Sequence, residues 1–191
     1  MNKNTHRHVL FVAQAGIIAA LYVVLTWLSA LFGLSGQNAI QVRISEALCV
    51  LPYFTPAAVP GLTVGCLLAN LLTGAAPLDV VFGTLATLLG AVGAMLLRKW
   101  RYFVPLPSIL SNTIIVPFVV YYVYYGGQEV TLPYLFLTVF IGEVISVGVL
   151  GLLLLFGLDN RLGRAVFSVS YRKKASPVDD LPVDSKTDDT P

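Results

Sequence analysis

From Val9 to Gln41 the chain carries no charged side chain. At about 1.5 Å of rise per residue, a helix over that stretch crosses the roughly 30 Å hydrocarbon core of a bilayer. The run is far longer than the about 7–15 residues of a secretory-signal core, and more such runs follow it, so it reads as a retained span. Only 12% of the chain is charged while 57% is hydrophobic, and the mean hydropathy is +0.80. Soluble domains carry about 25% charged residues, so most of this surface is built to face lipid.

Charges punctuate the rest of the sequence, and each long gap between them is a candidate helix. The first covers 9–34, followed by the polar stretch Ser35–Asn38 and then Gln41, Arg43 and Glu46. The uncharged stretch from Ala47 to Leu78 is too long for one span and too short for two full ones. It contains Pro52, Pro56 and Pro60, and proline breaks an interior helical hydrogen bond. Two short helices, 44–54 and 56–72, are expected there. Further helices are expected over 78–97, ending at Arg98-Lys99-Trp100-Arg101, over 107–125, ending at Gly126-Gly127-Gln128-Glu129, and over 132–158. The fold class is therefore all-α, a polytopic six-helix membrane bundle occupying residues 1–171. Residues 172–191, Arg172-Lys173-Lys174 and a Ser/Pro/Asp-rich stretch, lack the apolar surface to order themselves and are expected to form a disordered cytoplasmic tail.

Orientation follows from the Lys and Arg distribution. With both termini in the cytoplasm, Lys3, Arg7, Arg98, Lys99, Arg101, Arg161, Arg164 and Arg172–Lys174 lie inside, and Arg43 alone lies outside. The net charge of +2 is too small and scattered for nucleic-acid binding and suits an anionic lipid surface.

Ionisable groups inside spans cost about 2.5–3.5 kcal/mol on insertion scales and mark sites or structural pairs. Glu143 lies about 15 Å down the last span, near the bilayer centre; it is either a functional group or a carboxylate paired to a neighbouring helix. Glu46 and Asp79 lie near helix starts, where a carboxylate also complements the helix dipole. Arg43, three residues before Glu46, is placed to pair with it. Asn70 and Asn112 need partners in lipid, from helix packing or from a ligand. Tyr121, Tyr122, Tyr124 and Tyr125 read as an interfacial belt from which one ring could stack on a planar ligand, and Trp27 and Trp100 as further belt residues. Cys49 and Cys66 read as small packing residues, and His6 and His8 as a solvated terminus. Small residues four apart (Ala15/Ala19, Gly16/Ala20, Gly61/Gly65, and Ala86/Gly90/Ala94) give smooth faces for packing or for docking another membrane subunit.

No G-x-x-x-x-G-K-[ST] phosphate loop, H-E-x-x-H, G-x-S-x-G or metal-spaced His/Cys cluster occurs, so the chain has neither an ATP motor of that kind nor a recognisable catalytic motif. The halves show no inverted repeat, which argues against a self-sufficient alternating-access carrier.

The segment from Val42 to Leu62, containing Arg43-Ile-Ser-Glu-Ala-Leu48, together with Gly65-Cys-Leu-Leu-Ala-Asn-Leu-Leu72 and Leu78-Asp-Val-Val-Phe-Gly-Thr-Leu-Ala-Thr-Leu88, resembles the QueT family. These are queuosine-precursor transporters, substrate-binding (S) subunits of energy-coupling-factor importers. The resemblance covers roughly Val9 to Arg164. It implies an S-type bundle in the cell membrane that captures a 7-deazaguanine base, queuine or a precursor, at the outer face. It also implies a membrane coupling subunit and two cytosolic ATPases as partners; the chain itself would need no cofactor, and its partners would use the ATP. The Ala15-x-x-x-Ala19 face matches the coupling-subunit contact of such proteins.

Such a base needs a carboxylate for its ring N–H and exocyclic amine, a donor for its carbonyl, and a second carboxylate for a cationic side chain. Gln41, Arg43, Glu46, Asn70, Asp79 and Glu143, with Tyr121 as a stacking ring, are the candidate ligand contacts. Three other readings stand beside this one: an S subunit for another vitamin, an intramembrane enzyme pairing Glu143 with Asp79, and a proton-driven carrier working through Glu143.

Overall fold

The computed structural model describes residues 3–34, 42–127 and 131–159. Gln41, Glu129, Arg161, Arg164 and the 172–191 tail lie outside the described residues. Helix α1 (Lys3–Leu31) is followed by a 3-10 helix (Ile44–Tyr53), α2 (Ala58–Leu72) and α3 (Pro77–Leu96). Helix α4 (Leu106–Val119) runs on into a π-helical turn (Val120–Tyr124). Helix α5 (Leu132–Glu143) continues through a π-helix (Val144–Gly151) into α6 (Leu152–Leu158). Four continuous helical stretches are long and apolar enough to cross a membrane: Thr5–Leu31, Pro77–Lys99, Arg101–Tyr124 and Leu132–Leu158. The 3-10 helix and α2 are shorter.

The first helix starts at Lys3, six positions before the expected 9. Charge marks where a span leaves lipid rather than where its backbone stops being helical, and Arg7, His6 and His8 are good enough helix residues to extend it. Pro60 falls in the first turn of α2, where its missing N–H breaks no hydrogen bond.

Polarity is distributed inside-out. Large apolar side chains point outward on the spanning helices, among them Val12, Ile17, Leu72, Leu89, Leu96, Leu137 and Leu153. Thr26, Ser29, Ser45, Glu46, Asn70, Asp79, Thr87, Asn112, Glu143 and Ser146 are buried. Water gives no reason for that arrangement; a lipid surround does, because polar groups then find partners only inside the bundle. Trp27 and Trp100 are exposed, as belt residues need to be.

The 3-10 helix is the axis of the bundle, with every residue from Ser45 to Pro52 buried. It runs antiparallel to α1 along a ladder of side-chain hydrogen bonds. The Ile44 N–H donates to Ser29 Oγ at 3.0 Å, Thr26 Oγ1 to Ser45 Oγ at 2.8 Å, and Tyr22 Oη to Glu46 Oε1 at 2.5 Å. At its far end Thr55 Oγ1 donates to Gln14 Oε1 at 3.1 Å. At about 2.0 Å per residue this helix reaches only about 20 Å, short of a full crossing. Its end is sealed by protein: Thr55, Ala57 and Ala58 are wholly buried, as a helix ending within lipid depth requires.

The small-residue faces of α1 are divided between two environments. A Cβ on Gly61 would lie 2.7 Å from the Ala15 carbonyl oxygen, and one on Gly65 3.0 Å from Ala19 Cα. Ala15 and Ala19 therefore form an internal seam with α2, where two small-xxx-small stripes interlock. The alternate pair faces outward: Gly16 has no atom near a would-be Cβ, and Ala20 is exposed.

Candidate functional site

Four elements converge on one cavity, and each contributes two residues about one helical turn apart. Arg43 and Glu46 come from the start of the 3-10 helix, Gly83 and Thr87 from α3, Asn112 and Val116 from α4, and Val139 and Glu143 from α5. Spacings of three and four residues put each pair on a single helix face. The cavity between these residues is small, about 20 Å³, room for about one water molecule. An occupant the size of a nucleobase has to widen it.

The polar groups of the cavity differ in how they are satisfied. Glu46 has both oxygens engaged, Oε1 by Tyr22 Oη and Oε2 by Cys49 Sγ at 3.1 Å. Glu143 caps α5 where the chain passes into the π-helix. It is 9% exposed, and its Oε2 has no hydrogen-bond partner. Asn112, 4% exposed, is turned toward the Glu143 carboxylate as a hydrogen-bond donor, but its Nδ2 does not close to bonding distance on that or any other group. Buried polar atoms without a partner are rare in folded proteins; Thr84 Oγ1, Ser108 Oγ and Thr113 Oγ1 share this condition outside the wall. Arg43 is half-buried, and its backbone N–H donates to Ser146 Oγ at 3.1 Å. Its guanidinium sits in the field of Asp79 and Glu46 but forms no ion pair with either among the described residues. The Arg43–Glu46 pairing considered from sequence is thus not formed.

Asp79 and Asn70 lie one layer behind the cavity wall. A Cβ on Gly83 would sit 3.2 Å from Asn70 Nδ2 and 3.6 Å from Asp79 Oδ1. Asp79, in the first turn of α3, accepts from Tyr124 Oη at 2.9 Å, and the same hydroxyl accepts from the Ala76 N–H at 3.4 Å. Asn70 Nδ2 donates weakly to Cys66 Sγ at 3.5 Å. Tyr121 is not in the wall. Its hydroxyl donates to the Gly127 carbonyl at 2.6 Å, closing a turn in which Gly126 and Gly127 take φ of 57° and 79°, a region suited to glycine. The ring that reaches a candidate carboxylate is Tyr124.

Of the seven residues singled out as ligand contacts, the structure brings Arg43, Glu46 and Glu143 together in the wall and sets Asp79 and Asn70 behind it. Tyr121 lies elsewhere, and Gln41 is outside the described residues. Asn112, an amide whose sequence position allows either helix packing or ligand contact, is in the wall. Gly83, Thr87, Tyr22 and Cys49 carried no sequence signal beyond the helical spacing that pairs them with their neighbours. Both cysteines are buried and reduced, and they serve as hydrogen-bond partners as well as filler: Thr87 Oγ1 donates to Cys66 Sγ at 3.2 Å.

A family model described as QueT transporter matches residues 12–160. The chain belongs to the QueT transporter family. A relative named Queuosine precursor transporter QueT, from Lactococcus lactis subsp. cremoris, is 33% identical over 91 residues, 47% of this chain and 53% of that protein. The chain thus matches about half the length of that relative. No solved structure matches. The QueT family is one of transporters rather than enzymes, which sets aside the reading of Glu143 and Asp79 as an acid/base pair. The geometry agrees, since Glu143 lines the cavity and Asp79 does not.

Proposed function

We propose that this QueT-family chain is the substrate-binding membrane subunit of an ATP-driven energy-coupling-factor importer, and that its cargo is a 7-deazaguanine base, queuine or a precursor. The observation that carries this reading is the convergence of Arg43, Glu46, Asn112 and Glu143 on one cavity, with Asn112 and Glu143 inside helices apolar and long enough to cross a membrane, where ionisable and amide groups usually mark a site. Val116 and Val139 in the same wall offer apolar surface to a flat ring. The relative's name supports the substrate class.

Asp79 lies in the first turn of α3 and Arg98 and Lys99 follow its last turn, so the Asp79 side of the bundle is opposite the Arg98 side. The positive-inside rule makes the Arg98 end cytoplasmic and the Asp79 end external. With no phosphate loop in the chain, ATP would be used by two cytosolic ATPases through a coupling subunit. Since α2 occupies Ala15 and Ala19, the open face of α1 around Gly16 and Ala20 is the one left for that subunit.

Calorimetry on the purified protein with queuine, 7-aminomethyl-7-deazaguanine and 7-cyano-7-deazaguanine tests the cargo. Tight binding of at least one is expected; binding of none, with an unrelated vitamin bound tightly, overturns it. Vesicles holding this chain alone should bind but not accumulate the base. Accumulation by those vesicles would make the chain a self-contained carrier instead.

A further inference from the structure

We infer that Glu143 and Asn112 together read the hydrogen-bonding edge of the bound base, selecting a lactam over a 6-amino base. The inference rests on the reading that this cavity holds a deazapurine.

The two carboxylates in the wall are not equivalent. Each oxygen of Glu46 already accepts one hydrogen bond, from Tyr22 and from Cys49, so this carboxylate is held in place with acceptor capacity to spare. Glu143 keeps one buried oxygen without a partner, and the neighbouring Asn112 amide keeps an unpartnered Nδ2. At 9% and 4% exposure, both groups have been taken out of water, and each faces the other without closing a full hydrogen bond. A buried donor and a buried acceptor, side by side in a cavity wall, make a two-part template.

A guanine-type edge complements that template. Its carbonyl oxygen accepts from the Asn112 amide, and the adjacent ring N–H donates to the Glu143 carboxylate, with the exocyclic amine next in line for the same group. A 6-amino base presents the reverse order, setting an N–H₂ against the Asn112 N–H₂ and a ring lone pair against the carboxylate. A site built to pair specific polar groups rejects such an analogue strongly, because its own groups are left unpaired. Val116 and Val139 each lie one turn from a member of the pair, so the apolar surface flanks the edge-reading groups.

The test is calorimetry on the full chain in detergent, with 7-aminomethyl-7-deazaguanine and 7-deazaadenine as probes. The wild type should bind the first and prefer it clearly over the second. E143Q, which keeps shape and loses charge, should weaken the lactam base by about 10- to 100-fold, the worth of a charged hydrogen bond. N112A should weaken it by about tenfold, and N112D/E143Q should narrow the preference between the two bases. Melting temperatures identify variants that fail to fold, and N112A then decides for E143Q. Wild-type binding with an unaltered preference in N112A and N112D/E143Q overturns the inference and leaves the transport reading intact. Wild type that binds neither deazaguanine nor deazaadenine overturns both.

Discussion

At the scale of single residues, what separates Glu46 from Glu143 is the company each keeps. Glu46 sits in a closed polar knot with Tyr22 and Cys49, and Glu143 faces a space. Losing one partner of a buried carboxylate costs the desolvation of what remains. Tyr22→Phe removes the donor to Glu46 Oε1 and should destabilise the protein by about 1–3 kcal/mol, read as a lowered midpoint in thermal unfolding of the detergent-solubilised chain. Val139 lines the cavity and lies near the protein surface only marginally, at 9% exposure. Val139→Phe should fill the narrow space and abolish base binding by calorimetry at a cost of about 1–3 kcal/mol in stability, typical of overpacking.

At the scale of elements, the bundle is organised by the seam between α1 and α2 and by the buried 3-10 helix. The seam has no slack where Gly61 and Gly65 meet α1, because the atoms a Cβ would strike at Gly61 include backbone. Gly61→Leu should force the helices apart and sharply reduce the yield of folded, monodisperse protein on size exclusion. Gly16→Leu, on the opposite face of α1 with nothing near it, should leave folding and base binding unchanged. If the coupling subunit docks there, the same variant loses ATP-driven uptake. Retained uptake would move the docking site off α1. The π-helix Val144–Gly151 packs beside the 3-10 helix, with Gly151 pressed against Val50 and Ala47. Wide and tight helical windings thus meet next to the cavity, and departures from α geometry of both kinds recur at functional sites.

At the scale of the whole molecule, polar groups gather inside a sheath of exposed Leu, Val, Ile and Phe, and charge separates its two ends. Arg101 and Asp159 form an ion pair at 3.4 Å at one end, beside Arg98 and Lys99. Because Cys49 and Cys66 are buried, an impermeant maleimide should find little background in the native chain. Thr73→Cys, at the Asp79 end, should be labelled in intact cells, and Lys99→Cys only after permeabilisation. The reverse pattern would invert the topology and place the Asp79 end in the cytoplasm.

The sequence by itself determined the helices and their solvent. Long uncharged runs, prolines in the middle segment and the glycine pair at 126–127 are local properties, and each acts through nearest-neighbour backbone chemistry or through transfer into lipid. Even the wall pairs, Gly83/Thr87, Asn112/Val116 and Val139/Glu143, are spaced as one helix face requires. What only the tertiary structure decided is which faces meet. Ala15/Ala19 and Gly16/Ala20 look alike in sequence, and Tyr121 and Tyr124 look alike too, yet one small-residue pair packs on α2 while the other faces outward, and only Tyr124 reaches Asp79. Hydrophobicity in a lipid surround does little to fix that choice, because every apolar side chain is nearly as well placed against lipid as against protein. It is fixed by close packing at Gly61 and Gly65 and by the few hydrogen bonds that buried polar groups must find.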